Sequence, residues 1–253
     1  MQNDFWKDQR DSLEGWLKDG DPSLFRLWDP VRLIPLYELF HWVGYFQGVI
    51  DTSERLIGSE REKWIEAMAP RRWGFNAEYY QRTFVRLRIR NDELFTSTYN
   101  TKSNHHLESY YQLTGKSLLG FDRIVEFGGG SGDLARLVTD LGFEGEYVIV
   151  DLPEVLKVQQ HNFSDCDKRL PVFTEEPPRH KSNTALVSTW ALSEVPLPLR
   201  DKVVSTIEPD GWLIATQRNI FEVDNDRYFA SWDGARAEIP WIRWDGGSYY
   251  IAK

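Results

Sequence analysis

RIVEFGGGSGD, residues 123–133, combines a short apolar segment with a glycine-rich turn. Arg123–Phe127 is rich in apolar and β-branched residues, which is typical of a buried strand. The four glycines that follow tolerate positive φ and let the backbone approach a ligand without an intervening Cβ. Four apolar residues then recur with the spacing of one helix face: Leu134, Leu137, Val138 and Leu141. The pattern predicts a strand, a tight turn and a helix that ends near Gly142.

A second strand is predicted at residues 147–150, directly before Asp151. Asp151 follows the last glycine by about 20 residues, the distance at which nucleotide-binding units place a carboxylate for a ribose. Taken alone, Asp151 could instead begin the helix that Pro153 introduces, because Pro is favoured in the first turn. The glycine turn upstream favours the first interpretation, which is a nucleotide-binding βαβ unit.

Two nucleotide classes compete for this unit. Counted from Gly130, the spacing G-x-G-x-x-A ends at Ala135 and fits a dinucleotide fingerprint, as in a nicotinamide-dependent oxidoreductase. That interpretation gives no role to Glu126. The spacing Glu126-x-Gly128-x-Gly130-x-Gly132 fits better, and it resembles the E/D-x-G-x-G-x-G motif of the class I S-adenosylmethionine-dependent methyltransferases.

Two later segments fall where this resemblance predicts them. Residues 184–189 (TALVST), followed by WALSEV, resemble the fourth strand of the family and its loop beside the cofactor. Residues 207–215 (IEPDGWLIA) are similar to the L-x-P-G-G-x-L turn into the fifth strand, with Asp210 in place of the first glycine. Together with DLPEV after the second strand, these segments resemble those of bacterial sugar O-methyltransferases, a group defined largely by genomic setting.

The resemblance implies an α/β fold with a Rossmann-like methyltransferase sheet, mostly parallel with an antiparallel last strand. We expect a helical N-terminal cap region at residues 1–115 and an S-adenosylmethionine-binding domain at residues 116–253. A short third strand is predicted at 170–174 and a helix at 199–207. The final hairpin is predicted to pair 239–244 with 248–252.

The resemblance also implies the site residues. Glu126 would help to order the glycine loop, and Asp151 would accept hydrogen bonds from the ribose hydroxyls. The implied cofactor contacts are Glu126, Gly128, Gly129, Gly130, Gly132, Asp151, Leu152, Thr174, Ser188 and Trp190. The candidates for a general base that activates the methyl acceptor are Glu194, His105 and His106.

The N-terminal region supplies two further candidates for function. Arg82, Arg86 and Arg90 share a helical face, which could be solvated and paired with acids, or could grip a phosphate or sugar acid. Arg86, Arg90 and Tyr110 are the predicted substrate contacts. The apolar segment 33–50 is predicted as a central helix of the cap or as a homodimer contact, and it is too short and too polar to span a membrane.

Composition narrows the classes of partner. The formal net charge of −9 and the pI near 5.1 oppose nucleic-acid binding, so a small-molecule or glycan acceptor is expected. A single cysteine, Cys166, rules out an internal disulfide and suits a reducing cytoplasm. No metal-ligand spacing is present, so no metal is expected. The alternatives are transfer to another small hydroxylated metabolite, the oxidoreductase, and a non-catalytic methyltransferase-like binding module.

Overall fold

A computed structural model describes residues 103, 106, 107, 109–164, 166, 168–220, 223–239 and 247–253. The predictions for residues 33–50, for Arg86 and Arg90, and for His105 lie outside these residues. Within the described part, no helix has the length and apolar character needed to cross a bilayer.

Within these described ranges, seven strands form the main sheet, in the spatial order β3-β2-β1-β4-β5-β9-β8. They are β1 (Arg123–Phe127), β2 (Glu146–Val150), β3 (Val172–Thr174), β4 (Thr184–Thr189), β5 (Gly211–Gln217), β8 (Ala235–Glu238) and β9 (Ser248–Ala252). Strands β1 to β5 are parallel, and β9 pairs antiparallel with both β5 and β8. A separate small ribbon pairs β6 (Asn219–Ile220) with β7 (Val223–Asp224). The predicted fold, a mostly parallel α/β sheet with an antiparallel last strand, is confirmed.

Helices connect the strands. A leading helix, α1, includes the described residues 103, 106, 107 and 109–114. The others are α2 (Asp133–Asp140), α3 (Pro153–Asn162), α4 (Ala191–Glu194), α5 (Leu197–Ile207) and α6 (Asn225–Phe229). The turn after α2 has Gly142 at a φ of 89°, so this glycine ends the helix in the left-handed conformation that the sequence predicts.

The sheet is buried on both faces because its strands carry apolar residues at consecutive positions. Ile124, Ile149 and Val187 face the layer that contains α1, α2 and α3. Their neighbours, such as Val125 and Leu186, face the layer that contains α5 and α6. Each of these side chains is at most 1% exposed, and full burial of such a side chain stabilises the fold by about 1.5–3 kcal/mol.

The strand order brings the segments that follow β1, β2 and β4 together at one edge of the sheet, the one formed by the carboxyl ends of the parallel strands. These strands are parallel neighbours, so their carboxyl ends meet there. The order reverses at β1, since β2 lies on one side of it and β4 on the other. A crevice at this reversal point is where open α/β sheets bind ligands. The glycine turn and Asp151 both lie at this edge.

One element lies elsewhere than predicted. The strand that pairs with β9 is Ala235–Glu238, several residues before the predicted 239–244, and residues 240–246 lie outside the described part. The Ile239 amide still donates to the Ser248 carbonyl, which ends the pairing. The apolar, aromatic character of 239–244 misled the prediction, because an edge strand does not need an apolar sequence.

Candidate functional site

The glycine turn after β1 packs tightly on one side and is open on the other. Gly128 has a φ of 79°, and a Cβ there would collide with the Ala191 side chain. Gly130 also has a positive φ, 56°, but a Cβ there would meet nothing within 4 Å. Gly129 and Gly132 complete the turn against α3. The backbone at Gly130 therefore borders open space, as the cradle of a ligand requires.

Asp151 lies beside this turn at the end of β2. Its Oδ1 accepts a hydrogen bond of 2.8 Å from the Leu152 amide, and its Oδ2 accepts one of 2.8 Å from the Gln159 side chain. Burial raises the pKa of Asp151 to about 6, although these bonds and the amides of Gly130 and Gly129 lower it. The carboxylate is thus oriented by neutral donors, and none of these donors cancels its charge.

Glu126 lies under the turn, one residue before the end of β1, and is 2% exposed. Its Oε2 accepts a hydrogen bond of 2.9 Å from the Tyr147 hydroxyl. Burial raises the pKa of Glu126 to about 8; the Tyr147 bond opposes this rise, and the charges of Asp151 and Asp133 add to it. Glu126 is therefore mostly protonated at neutral pH, and it lies within electrostatic range of two other acids.

The segment after β4 forms the next wall of the edge. Trp190 has a φ of 87°, a strained value for a residue other than glycine, and such strain clusters at functional sites. Its amide donates to the Ala215 carbonyl in β5. Ser188 is fully buried, and its hydroxyl donates to the Phe127 carbonyl and accepts from the Leu192 amide. This placement argues against the predicted cofactor contact of Ser188, because the side chain ties β1 to α4 instead.

Glu194 ends α4 and is partly buried. The carbonyls on either side of it, at Ser193 and Val195, both accept hydrogen bonds from the guanidinium of Arg200. Arg200 is fully buried and also bonds the Asn225 side chain of α6. Burial lowers the pKa of Arg200, while the nearby charge of Glu194 helps to oppose this shift. The buried cation therefore holds the backbone that carries Glu194.

The candidates on α1 pack against β9. His106 is buried, and its Nδ1 lies 2.7 Å from the Tyr250 hydroxyl. Tyr250 pairs with Ala215 of β5, whose carbonyl accepts a hydrogen bond from the Trp190 amide. Tyr110 is 0% exposed, and its hydroxyl donates to the Lys253 carbonyl. This placement argues against the predicted substrate contact of Tyr110, because its side chain has no exposed surface.

Leu152 and Thr174 lie at the outer end of the edge. Leu152 directly follows Asp151 and is 37% exposed, so it offers an apolar surface next to the carboxylate. Thr174 ends β3, and its carbonyl accepts a hydrogen bond from the Asp151 amide. The structure thus brings together the glycine turn, Glu126, Asp151, Leu152 and Thr174, and places Trp190 and Glu194 on the β4 side.

Three contributors were not predicted from the sequence: Tyr147, Gln159 and Asn162. Gln159 and Asn162 donate to the carbonyls of Gly130 and Ser131, both at 2.9 Å. A signal for Gln159 exists in the sequence, because a carboxamide interrupts the apolar face defined by Val155 on α3 and Phe163 directly after it. Among the described residues, no group of three or more His, Cys, Asp or Glu side chains could hold a metal ion.

Comparisons with protein-family models and with curated proteins find no match. Solved structures do resemble the chain. An S-adenosylmethionine-dependent methyltransferase of Aquifex aeolicus has a TM-score of 0.38 and 11% identity over 51% of this chain and 80% of that one. The mitomycin 7-O-methyltransferase has a TM-score of 0.39 and 14% identity over 76% of this chain and 66% of that one.

A third similar structure is the magnesium protoporphyrin IX methyltransferase of Synechocystis, solved with bound S-adenosylmethionine. Its TM-score is 0.44, with 11% identity over 69% of this chain and 92% of that one. At these scores the assignment of the fold rests on the strand order and register described above.

Proposed function

We propose that this chain is an S-adenosylmethionine-dependent O-methyltransferase. The observation that carries the proposal is the meeting of the open glycine turn with Asp151 at the reversal point of the sheet. The backbone at Gly130 would cradle the methionyl part of the donor, Asp151 would accept from the ribose hydroxyls, and Leu152 would contact the adenine. Hydrogen bonds to an ionised carboxylate are roughly twice as strong as neutral ones.

The charges around the turn favour this donor over a dinucleotide. Asp133 and Asp151 both lie within electrostatic range of Glu126, and Asp133 occupies the first turn of α2. A pyrophosphate is normally bound at such a helix N-terminus, where it would face the Asp133 carboxylate. A ligand with a sulfonium and an ammonium group would instead be attracted. These acidic groups support the transferase over the nicotinamide-dependent oxidoreductase.

When bound, the donor would supply an activated methyl group to the acceptor oxygen, with loss of its carbon–sulfur bond and of the acceptor's hydroxyl proton. The protein has to align the two reactants, which is worth about 7–11 kcal/mol of the barrier, and accept one proton. Glu194 is the better placed base, because it is partly exposed and lies after β4. His106 is buried against Tyr250, so it would act only if α1 moves.

The acceptor is proposed to be a sugar hydroxyl, on a surface glycan or a nucleotide sugar. This part rests on the resemblance of the motifs to sugar O-methyltransferases, and the net charge of −9 fits it better than a nucleic acid. Another small hydroxylated metabolite is the alternative. The cap region and a homodimer contact through it remain predictions for residues 1–115.

Calorimetric titration tests the donor. The purified chain is titrated with S-adenosylmethionine, its demethylated product and NAD, and the first two are expected to bind at micromolar concentrations. Asp151→Asn should weaken both by at least tenfold. Binding of NAD alone would refute the proposal. Transfer of labelled methyl groups to a cell extract, followed by mass spectrometry of the labelled product, then identifies the acceptor and separates an enzyme from a binding module.

A further inference from the structure

Helix α3 presents two carboxamides to the glycine turn. Nε2 of Gln159 lies 2.9 Å from the Gly130 carbonyl oxygen and 2.8 Å from Oδ2 of Asp151, so one amide group contacts both halves of the site. Nδ2 of Asn162, one helical turn further on, lies 2.9 Å from the Ser131 carbonyl oxygen. Two successive carbonyls of the turn are therefore held by neighbouring side chains of one helix.

These bonds fix which way the turn faces. A trans peptide group points its N–H opposite to its C=O, so holding the Gly130 carbonyl against α3 directs the Ser131 amide away from α3. The packing beneath is close: a Cβ on Gly129 would lie 3.3 Å from Nε2 of Gln159. Gln159 itself is 0% exposed. It fills the space under the turn and leaves the other side of Gly130 open.

The same amide group orients Asp151 without neutralising it. A lysine or arginine in place of Gln159 would form a buried ion pair and would compete with a cationic ligand for the carboxylate. A carboxamide donates a hydrogen bond but carries no charge. The Asp151 carboxylate, fixed between Leu152 and Gln159, is thus kept available to hydroxyl groups and to a positively charged ligand.

We propose that Gln159, supported by Asn162, is the positioning residue of the donor site. It orients both the Gly130–Ser131 backbone and the Asp151 carboxylate, and so controls donor affinity without touching the donor. The inference rests on the proposed function. It assigns control of donor affinity to a residue that belongs neither to the glycine motif nor to the acid at the end of β2.

Calorimetry with S-adenosylmethionine tests this inference on the full chain. Gln159→Met has nearly the same volume but cannot donate a hydrogen bond, and it should weaken donor binding at least tenfold. The matched control is Gln160→Met, because Gln160 is the same residue type on the exposed face of the same helix. The control should bind as the wild type does.

The pH dependence of donor binding separates positioning from a general loss of packing. The bond from Gln159 lowers the pKa of Asp151, so Gln159→Met should move the acid limb of the affinity profile to higher pH. Asn162→Ala breaks only the bond to Ser131, so it should weaken binding three- to tenfold without moving that limb. Affinity and profile equal to the wild type in both variants would overturn the inference.

Two outcomes stay distinguishable. If the wild type itself does not bind the donor, the proposed function fails. If the wild type and Gln160→Met bind while Gln159→Met binds equally well, only the positioning role fails. If Gln159→Met does not fold, Asn162→Ala tests whether the carboxamides orient the glycine turn. Gln159→Glu then tests whether residue 159 orients the Asp151 carboxylate. The added carboxylate should move the acid limb further than the methionine would.

Discussion

Glu126→Gln gives the sharpest test of the electrostatics of the site. The pKa of Glu126 rises from its ordinary 4.5 to about 8 on folding, chiefly because the carboxyl group is buried. Between these pH values the native chain keeps a proton that the unfolded chain has released. The stability that this retained proton contributes is therefore fully present below about pH 4.5 and is lost as the pH rises through 8. Glutamine resembles the protonated acid, so the variant should lack this loss.

The magnitude is obtained from the part of the window in which Glu126 titrates without Asp151. The pKa of Asp151 is about 6, so between pH 6 and pH 8 the difference between wild type and variant reports Glu126. At about 1.36 kcal/mol per pH unit, the wild type should lose about 2–3 kcal/mol of unfolding free energy relative to the variant. For a domain of this size the difference corresponds to roughly 5–10 °C in Tm.

The assay is thermal unfolding of both proteins at half-unit steps from pH 5.5 to 8.5. Other groups titrate in this range, but they are common to both proteins and cancel in the difference. Tyr147→Phe is the control, because it removes the hydrogen bond that lowers the pKa of Glu126 and should extend the slope to higher pH. Parallel curves for the wild type and Glu126→Gln would refute the reasoning.

The remaining predictions concern the turn, the segment after β4 and the base. Gly128→Ala forces a Cβ into α4 at a positive φ and should lower the free energy of unfolding in urea by more than about 3 kcal/mol. Gly130→Ala faces open space and should lower it by only about 1–2 kcal/mol. Equal losses in the two variants would contradict the geometry. Arg200→Met leaves buried carbonyls without their donor and should cost about 3–5 kcal/mol, and a cost under 1 would deny the buried network. Glu194→Gln should lower turnover at least tenfold with donor affinity nearly kept; His106→Ala is the parallel test, and wild-type turnover in both would remove them as bases.

The sequence predicted the parts of the fold that local pattern determines. Arg123–Phe127 and Thr184–Thr189 are strands with the predicted bounds, since each is a short apolar, β-rich run next to a turn signal. The strand Ala235–Glu238 was missed because its burial is low and its sequence is polar and alternating in size. An edge strand is specified by its neighbour, here β9, and no local pattern records that pairing.

The candidate site was predicted where one segment contains it and missed where it depends on packing. The glycine turn and Asp151 follow from spacing alone. Tyr147 contributes because the register puts Ile124 opposite it, which leaves Glu126 on the diagonal of the same face, within reach of a tyrosine hydroxyl. Ser188 and Tyr110 are polar residues that the sequence assigned to the site, but their hydroxyls donate hydrogen bonds to backbone carbonyls. Spacing predicts position along the chain, whereas the direction of a side chain depends on its packing.

Burying acids around a glycine turn is costly, and this cost bears on the proposed donor, which carries a sulfonium and an ammonium group. Burial raises the pKa values of both Glu126 and Asp151, so each acid reduces stability in its ionised form. The described contacts of Asp151 are neutral donors, and Glu126 receives only a hydroxyl. A cationic ligand would lower both pKa values, so its binding should release protons and strengthen as the pH rises from 6 to 8. Binding of an anionic ligand would weaken over the same pH range, because the ionised acids would repel it.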